Sequence, residues 1–137
     1  FFHLVTYVPH MDRHYDLTYL NQVFHGNEAM IHEIVRLFLE QAPRFGVDLL
    51  TCLDEARWSD LHPIAHRMKS SVTMLGMQSL IPLVLEVERK SKFQEHGEAL
   101  ADLVHSLNRE LRVVCEVIQA DAREATTRSS SRHLRRA

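Results

Sequence analysis

The sequence is poor in the residues that interrupt helices: it has four glycines and four prolines in 137 positions. Its apolar residues recur at threes and fours instead of alternating, so a sheet-rich fold is excluded and an all-α fold is expected. Cysteine is scarce as well. Cys52 and Cys115 stand far apart, within or beside apolar helical stripes. They make neither a disulfide framework nor a Cys-X-X-Cys site, and are read as reduced core thiols of a cytoplasmic protein. No run approaches the roughly 18 consecutive apolar residues of a membrane span. Residues 1–8 are apolar but short, without a basic start or cleavage signal, and are not expected to be a secretory peptide. Basic excess is missing too. The net charge is −2, and residues 126–137 carry Arg128, Arg132, Arg135 and Arg136 and no acid; the rest holds 12 basic against 18 acidic residues, about −6. An acidic body argues against nucleic acid or an anionic membrane as partner. Nor is there a phosphate-cradling glycine loop or a nucleophile elbow. Any chemistry must come from side chains presented on helices.

What is present is enough for one core. A chain of 137 residues, 45% of them hydrophobic, is long enough for one domain and too short for two comfortable ones. Asp16 is placed to cap a short helix over 17–25, with Leu17, Leu20, Val23 and Phe24 on one side and Gly26 as its stop. Asn27 caps the next. Its stripe runs Ile31, Val35, Phe38, Ala42, Phe45, Leu49, Cys52, Ala56, and keeps phase across Pro43. One long kinked helix is therefore expected there, with two consecutive helices as the alternative. A third helix over 60–75, capped by Ser59 with Pro63 in its first turn, should stop at Gly76. A fourth covers about 78–92, with Pro82 near its start. A fifth covers about 98–124, with a seam of Leu100, Val104, Leu107, Leu111, Val114 and Ile118. Four long helices with narrow stripes predict an antiparallel four-helix bundle with a short additional N-terminal helix. The expected divisions are an N-terminal extension or linker over 1–14, the bundle over 15–125, and a basic, mobile tail over 126–137 unless it extends the last helix.

The third helix carries the candidate site. Leu61, Ile64, Ala65, Met68, Val72 and Leu75 form its buried stripe. His66 lies about 100° around from Ala65, on a polar face shared with His62, Lys69, Ser70 and Thr73. An imidazole is a competent nucleophile near neutral pH without an activating base, since its unperturbed pKa is about 6.5. A phosphoryl group placed on it would add negative charge that Lys69, at i+3, is placed to offset. Ser70 is small enough for a partner to approach closely.

The stretch AHRMKSSVTMLG, with Ala65, His66, Lys69, Ser70, Ser71, Leu75 and Gly76, resembles the signature of histidine-phosphotransfer (HPt) domains of multistep two-component phosphorelays. The likeness extends to residues 16–20, to 37–43 and to Trp58, and covers about 15–122. One departure is Ser70, where glycine is common; serine keeps the position small. The resemblance implies that His66 accepts a phosphoryl group from a receiver-domain phospho-aspartate and passes it to another response-regulator receiver. By the same resemblance Lys69 is the electrostatic neighbour, and Glu88 on the next helix hydrogen-bonds the other imidazole nitrogen. Partners would be receiver domains and a hybrid histidine kinase, met through His62, Arg67, Ser70 and Thr73. The chain would be a monomeric cytoplasmic phosphocarrier, not an enzyme, with no cofactor of its own and Mg2+ on the receiver.

Two other readings compete. His62 and His66 have the i, i+4 spacing of helical metal ligands, with Glu88 as a conceivable third, which would make a metal-binding bundle. Pro63 stands where a zinc-protease helix has glutamate, and no second ligand pair is evident. His10 and His14 share the spacing but sit in the expected linker. The other reading is a helical docking module without phosphoryl chemistry, against which stands the presence of both His66 and Lys69.

Overall fold

The computed structural model describes residues 14–136, with side chains as far as residue 128. Five helices follow one another: α1 (Thr18–Val23), α2 (Glu28–Asp54), α3 (Trp58–Met74), α4 (Ile81–Lys92) and α5 (Glu98–Arg136). Residues 1–13, nearly all of the expected N-terminal extension, lie outside the described residues, which contain no strand. Helix α2 packs on α3 and α5, and α4 packs on the same two, so the four long helices close a ring around one core. Short connections make successive helices antiparallel. The α3–α4 pairing is the most extensive.

Local chemistry explains most of the boundaries. Asn27 Oδ1 accepts the Met30 N–H at 3.2 Å, and Glu28 opens the first turn of α2. Helix α2 then runs unbroken through Pro43, which is exposed. Its buried stripe departs from the expected one at two places: Gly46 faces inward while Phe45 is only half-buried, and Ala56 lies beyond the helix end, exposed and at φ +54°. A Cβ on Gly46 would stand 2.6 Å from Asn108 Oδ1 of α5, so the two helices come close at this point.

Helix α3 begins at Trp58, two residues before the expected start, and Arg57 holds the cap position without a side-chain hydrogen bond. Trp58 stacks on His96 in the α4–α5 connection, ring centroids 5.2 Å apart, which ties down the first turn. Pro63 consequently falls in the second turn, where its missing N–H leaves one helical hydrogen bond unmade. Helix α4 starts at Ile81, three residues later than expected, with Pro82 in its opening turn. Met77 and Leu80 fill the core from the preceding turn.

The last helix runs to Arg136, well past the expected limit near 124, and spans roughly 58 Å. Its last fully buried side chain is Ile118. Beyond that point the backbone stays helical through the segment expected as a tail. No glycine or proline stops it; Ala120, Ala122 and Ala125 favour it, and Thr126 and Thr127 donate to the carbonyls of Ala122 and Arg123 at 3.0 Å.

The N-terminal segment fastens α3. Helix α1 is shorter than expected and Leu17, not Asp16, holds its cap position, without a side-chain cap hydrogen bond; Asp16, one residue earlier, accepts the Thr18 N–H and hydroxyl on Oδ1 at 2.9 and 2.6 Å. The Asp16 N–H donates to the Leu75 carbonyl at 2.9 Å, and Tyr15 Oη donates to Asp121 Oδ2 at 2.6 Å. Leu17 and Leu20 are wholly buried, worth together about 3–6 kcal/mol as an upper bound. Gly76, at φ +58°, lets the chain pass beside them. Its hydrogen faces the backbone of Asp16, where a Cβ would lie 2.7 Å from the carbonyl oxygen.

Candidate functional site

Five buried side chains, Leu61, Ile64, Ala65, Met68 and Val72, hold α3 against the core and turn His66 outward. The His66 side chain is 63% exposed. Lys69 and Glu88 stand beside it, 35% and 18% exposed, with Glu88 reaching across from α4. Lys69 Nζ donates to Glu88 Oε1 at 3.0 Å. The other carboxylate oxygen, Oε2, is buried without a hydrogen-bond partner and lies 3.7 Å from His66 Nδ1. The expected hydrogen bond from Glu88 to the imidazole is therefore not formed in this geometry. Lys69 has taken the carboxylate, because its flexible four-carbon stem delivers a full charge to hydrogen-bonding distance while the ring stops short.

The electrostatics follow. Burial by itself lifts the Glu88 carboxyl, but the Lys69 hydrogen bond and charge outweigh it, with His66 and His62 adding, and the net result lies below the ordinary carboxylate value. Glu88 is thus an anion clamped between one ammonium and two imidazoles.

His62, expected as an exposed neighbour, is half-buried, and its Nδ1 lies 3.2 Å from the Glu88 main-chain oxygen. Nδ1–H is the donor there, since a carbonyl can only accept. The His62 and His66 rings stack with centroids 6.1 Å apart and 25° between planes. Among the described residues no group of three or more His, Cys, Asp or Glu side chains is arranged to hold a metal ion.

The remaining candidates divide. Ser70 and Thr73 are exposed on the His66 side of α3. Arg67 is turned away and lines a cleft of about 300 Å3 between α2 and α3 with Asp48, Cys52, Arg57, Asp60 and Pro63. Leu85, which the sequence did not single out, is 46% exposed one turn before Glu88 on the same flank of α4. The signal for it was present: Leu85 lies off the Val84–Val87–Ser91 stripe that α4 buries.

The site is thus an outward histidine on a helical bundle with a lysine–carboxylate pair at its side. Residues 33–128 match the Hpt domain family, and the chain belongs to that family. Its fold is also that of the crystal structure of histidine-containing phosphotransfer protein B from Pseudomonas aeruginosa PAO1, with TM-score 0.72 and 18% sequence identity over 82% of this chain and 97% of that one. No curated protein matches the chain. Hpt domains serve histidine phosphotransfer in two-component phosphorelays, working as carriers with kinases and receiver domains. No helix among the described residues is long and apolar enough to cross a membrane.

Proposed function

We propose that His66 is the phosphoryl-accepting residue, taking the group from a receiver's aspartyl phosphate and handing it to a second receiver. The observation that carries this is the ring's setting: an outward imidazole, 63% exposed, whose Nδ1 faces the Glu88 carboxylate at 3.7 Å. The Nε2 lone pair attacks phosphorus in line, the bond from phosphorus to the aspartyl oxygen breaks, and the carboxylate departs with the bonding pair. His66 keeps its proton on Nδ1, where Glu88 Oε2 faces the positive charge that develops on the ring. Return of the group to another aspartate is the same step reversed.

Lys69 neutralises the incoming charge by swinging from Glu88 to the phosphoryl oxygens; one helical turn separates it from His66, within reach of its stem. Ser70 and Thr73 leave room for the receiver's rim, and Leu85 gives it an apolar contact. His62 sits at the edge of the same surface, and Arg67 meets a partner only if the footprint extends around α3. The Mg2+ that phosphoryl transfer requires belongs to the receiver, so this chain is a carrier without turnover of its own, working in the cytoplasm as a monomer.

The test uses a receiver charged with labelled phosphoryl donor and mixed with wild type, His66→Gln or Lys69→Ala. Label should be lost with His66→Gln. With Lys69→Ala transfer should slow by about tenfold, the loss of roughly 1.4 kcal/mol of charge stabilisation, while the circular dichroism spectrum is kept. Equal labelling of His66→Gln would refute the assignment.

A further inference from the structure

We propose that His62 and His66 form a two-nitrogen clip for a divalent first-row transition metal, of the Ni2+, Cu2+ and Zn2+ kind, and that clipping shuts off His66. The second half of this proposal rests on His66 being the phosphoryl acceptor; the first half does not.

Four observations converge. The two histidines are one turn apart on one helix, and their rings already stand nearly parallel, 25° between planes with centroids 6.1 Å apart. His62 Nδ1 donates to the Glu88 main-chain oxygen at 3.2 Å. His66 Nδ1 faces Glu88 Oε2 at 3.7 Å, and that oxygen is buried with no hydrogen-bond partner. Both rings therefore turn Nδ1 toward α4, and the clip takes the remaining nitrogen, Nε2, of each ring as its donor. Histidines that bind metals are commonly set in this way, the second nitrogen donating to a carbonyl or carboxylate that fixes the tautomer and sharpens the ligand. Here one residue, Glu88, stands behind both rings: its main-chain oxygen accepts from His62, and its Oε2 faces His66 Nδ1 at 3.7 Å without a hydrogen bond.

Metal–imidazole bonds of about 2.0–2.1 Å require the two Nε2 atoms to lie within about 4 Å of each other. His66, at 63% exposure, has the freedom to close that gap by side-chain rotation. Glu88 stays behind the rings, and among the described residues no group of three or more ligating side chains is arranged for a metal, so the clip uses two nitrogens with water in the remaining positions. Two metal-bound waters leave as the two imidazoles enter, each ring binding through an unprotonated Nε2. Imidazole donors suit these ions and not Mg2+ or Ca2+, which prefer oxygen. A metal on His66 Nε2 occupies the lone pair that would attack phosphorus.

The experiment is an NMR titration of the full chain with Ni2+, following the imidazole C–H signals, together with phosphoryl transfer in the presence and absence of Ni2+. Paramagnetic broadening should appear at His62 and His66 together, before the other histidines. His62→Gln should weaken binding at His66 by more than the roughly 10- to 100-fold that loss of an orienting partner costs. The ratio of labelling with and without Ni2+ should be low in wild type and near one in His62→Gln. Broadening that begins at other histidines, or that persists at His66 in His62→Gln, overturns the clip. If the two rings bind Ni2+ together but His66 is never labelled, the clip stands and the phosphoryl assignment falls.

Discussion

Replacing Glu88 with glutamine tests how the site is poised. In the resting protein Lys69 is bound to Glu88 at 3.0 Å, and must leave it to reach a phosphoryl group on His66. Exposed pairs contribute about 0.2–1 kcal/mol. With Glu88 18% and Lys69 35% exposed, this pair belongs near the upper end of that range, not above it. Glutamine keeps an oxygen that can accept from Lys69 or from His66 Nδ1 but removes the charge. The cost of releasing Lys69 then falls by about 0.5–1 kcal/mol, a two- to fivefold shift in an equilibrium. Glu88→Gln should therefore raise the equilibrium ratio of phosphorylated to free His66 by two- to fivefold against a fixed receiver. Phosphate-affinity gels after equilibration read that ratio directly, and a melting curve recorded alongside shows that the fold is kept. An unchanged or lowered ratio in a folded Glu88→Gln protein would refute the competition. It would mean that the Glu88 charge matters more to the imidazole than to the lysine.

Two further outcomes bear on the scaffold. Gly76→Ala should destabilise the protein by about 2–4 kcal/mol, since a left-handed alanine costs about 1–2 kcal/mol and its Cβ would meet the Asp16 backbone at 2.7 Å; an unchanged urea midpoint would show that the N-terminal segment does not fasten α3. Stability should also depend on Glu88 in acid. Its folded pKa is depressed, so the unfolded chain binds the proton first, and the contribution is present above the unfolded value and lost as pH falls through the folded one. The stability gap between wild type and Glu88→Gln should therefore narrow on acidification from pH 7, as followed by urea titrations; a widening gap would reverse the sign of the argument.

The bundle was legible because its signals are periodic and local. The α3 stripe from Leu61 to Leu75, the Asn27 cap and the arrest at Gly76 each depend on residues within a turn or two, and each stands where the spacing predicts. Boundaries set at a distance were not legible. Trp58 starts α3 early because it meets His96 some forty positions on, and Gly46 points inward because Asn108 of α5 is there. The length of α5 was open between a tail and a continued helix for another reason: a helix with good intrinsic formers needs no apolar stripe to continue, so the end of the stripe does not mark the end of the helix.

At the site, the outward face of His66 followed from angle alone. What the sequence could not rank was three cationic or titratable neighbours competing for one carboxylate. Lys69 takes Glu88 Oε1 while His66 stops at 3.7 Å, and His62 engages the main chain of Glu88, a group with no sequence signature. Arg67, adjacent to His66 in sequence, opens onto a different cleft because one residue along a helix is about 100° of rotation.

The most direct measurement is a long-range proton–nitrogen NMR spectrum of the phosphorylated chain, with the imidazole nitrogens of His66 assigned. The expected result is a phosphoryl group on Nε2 of His66, with Nδ1 still protonated toward Glu88. A phosphoryl group on Nδ1, on another histidine, or on none would contradict it.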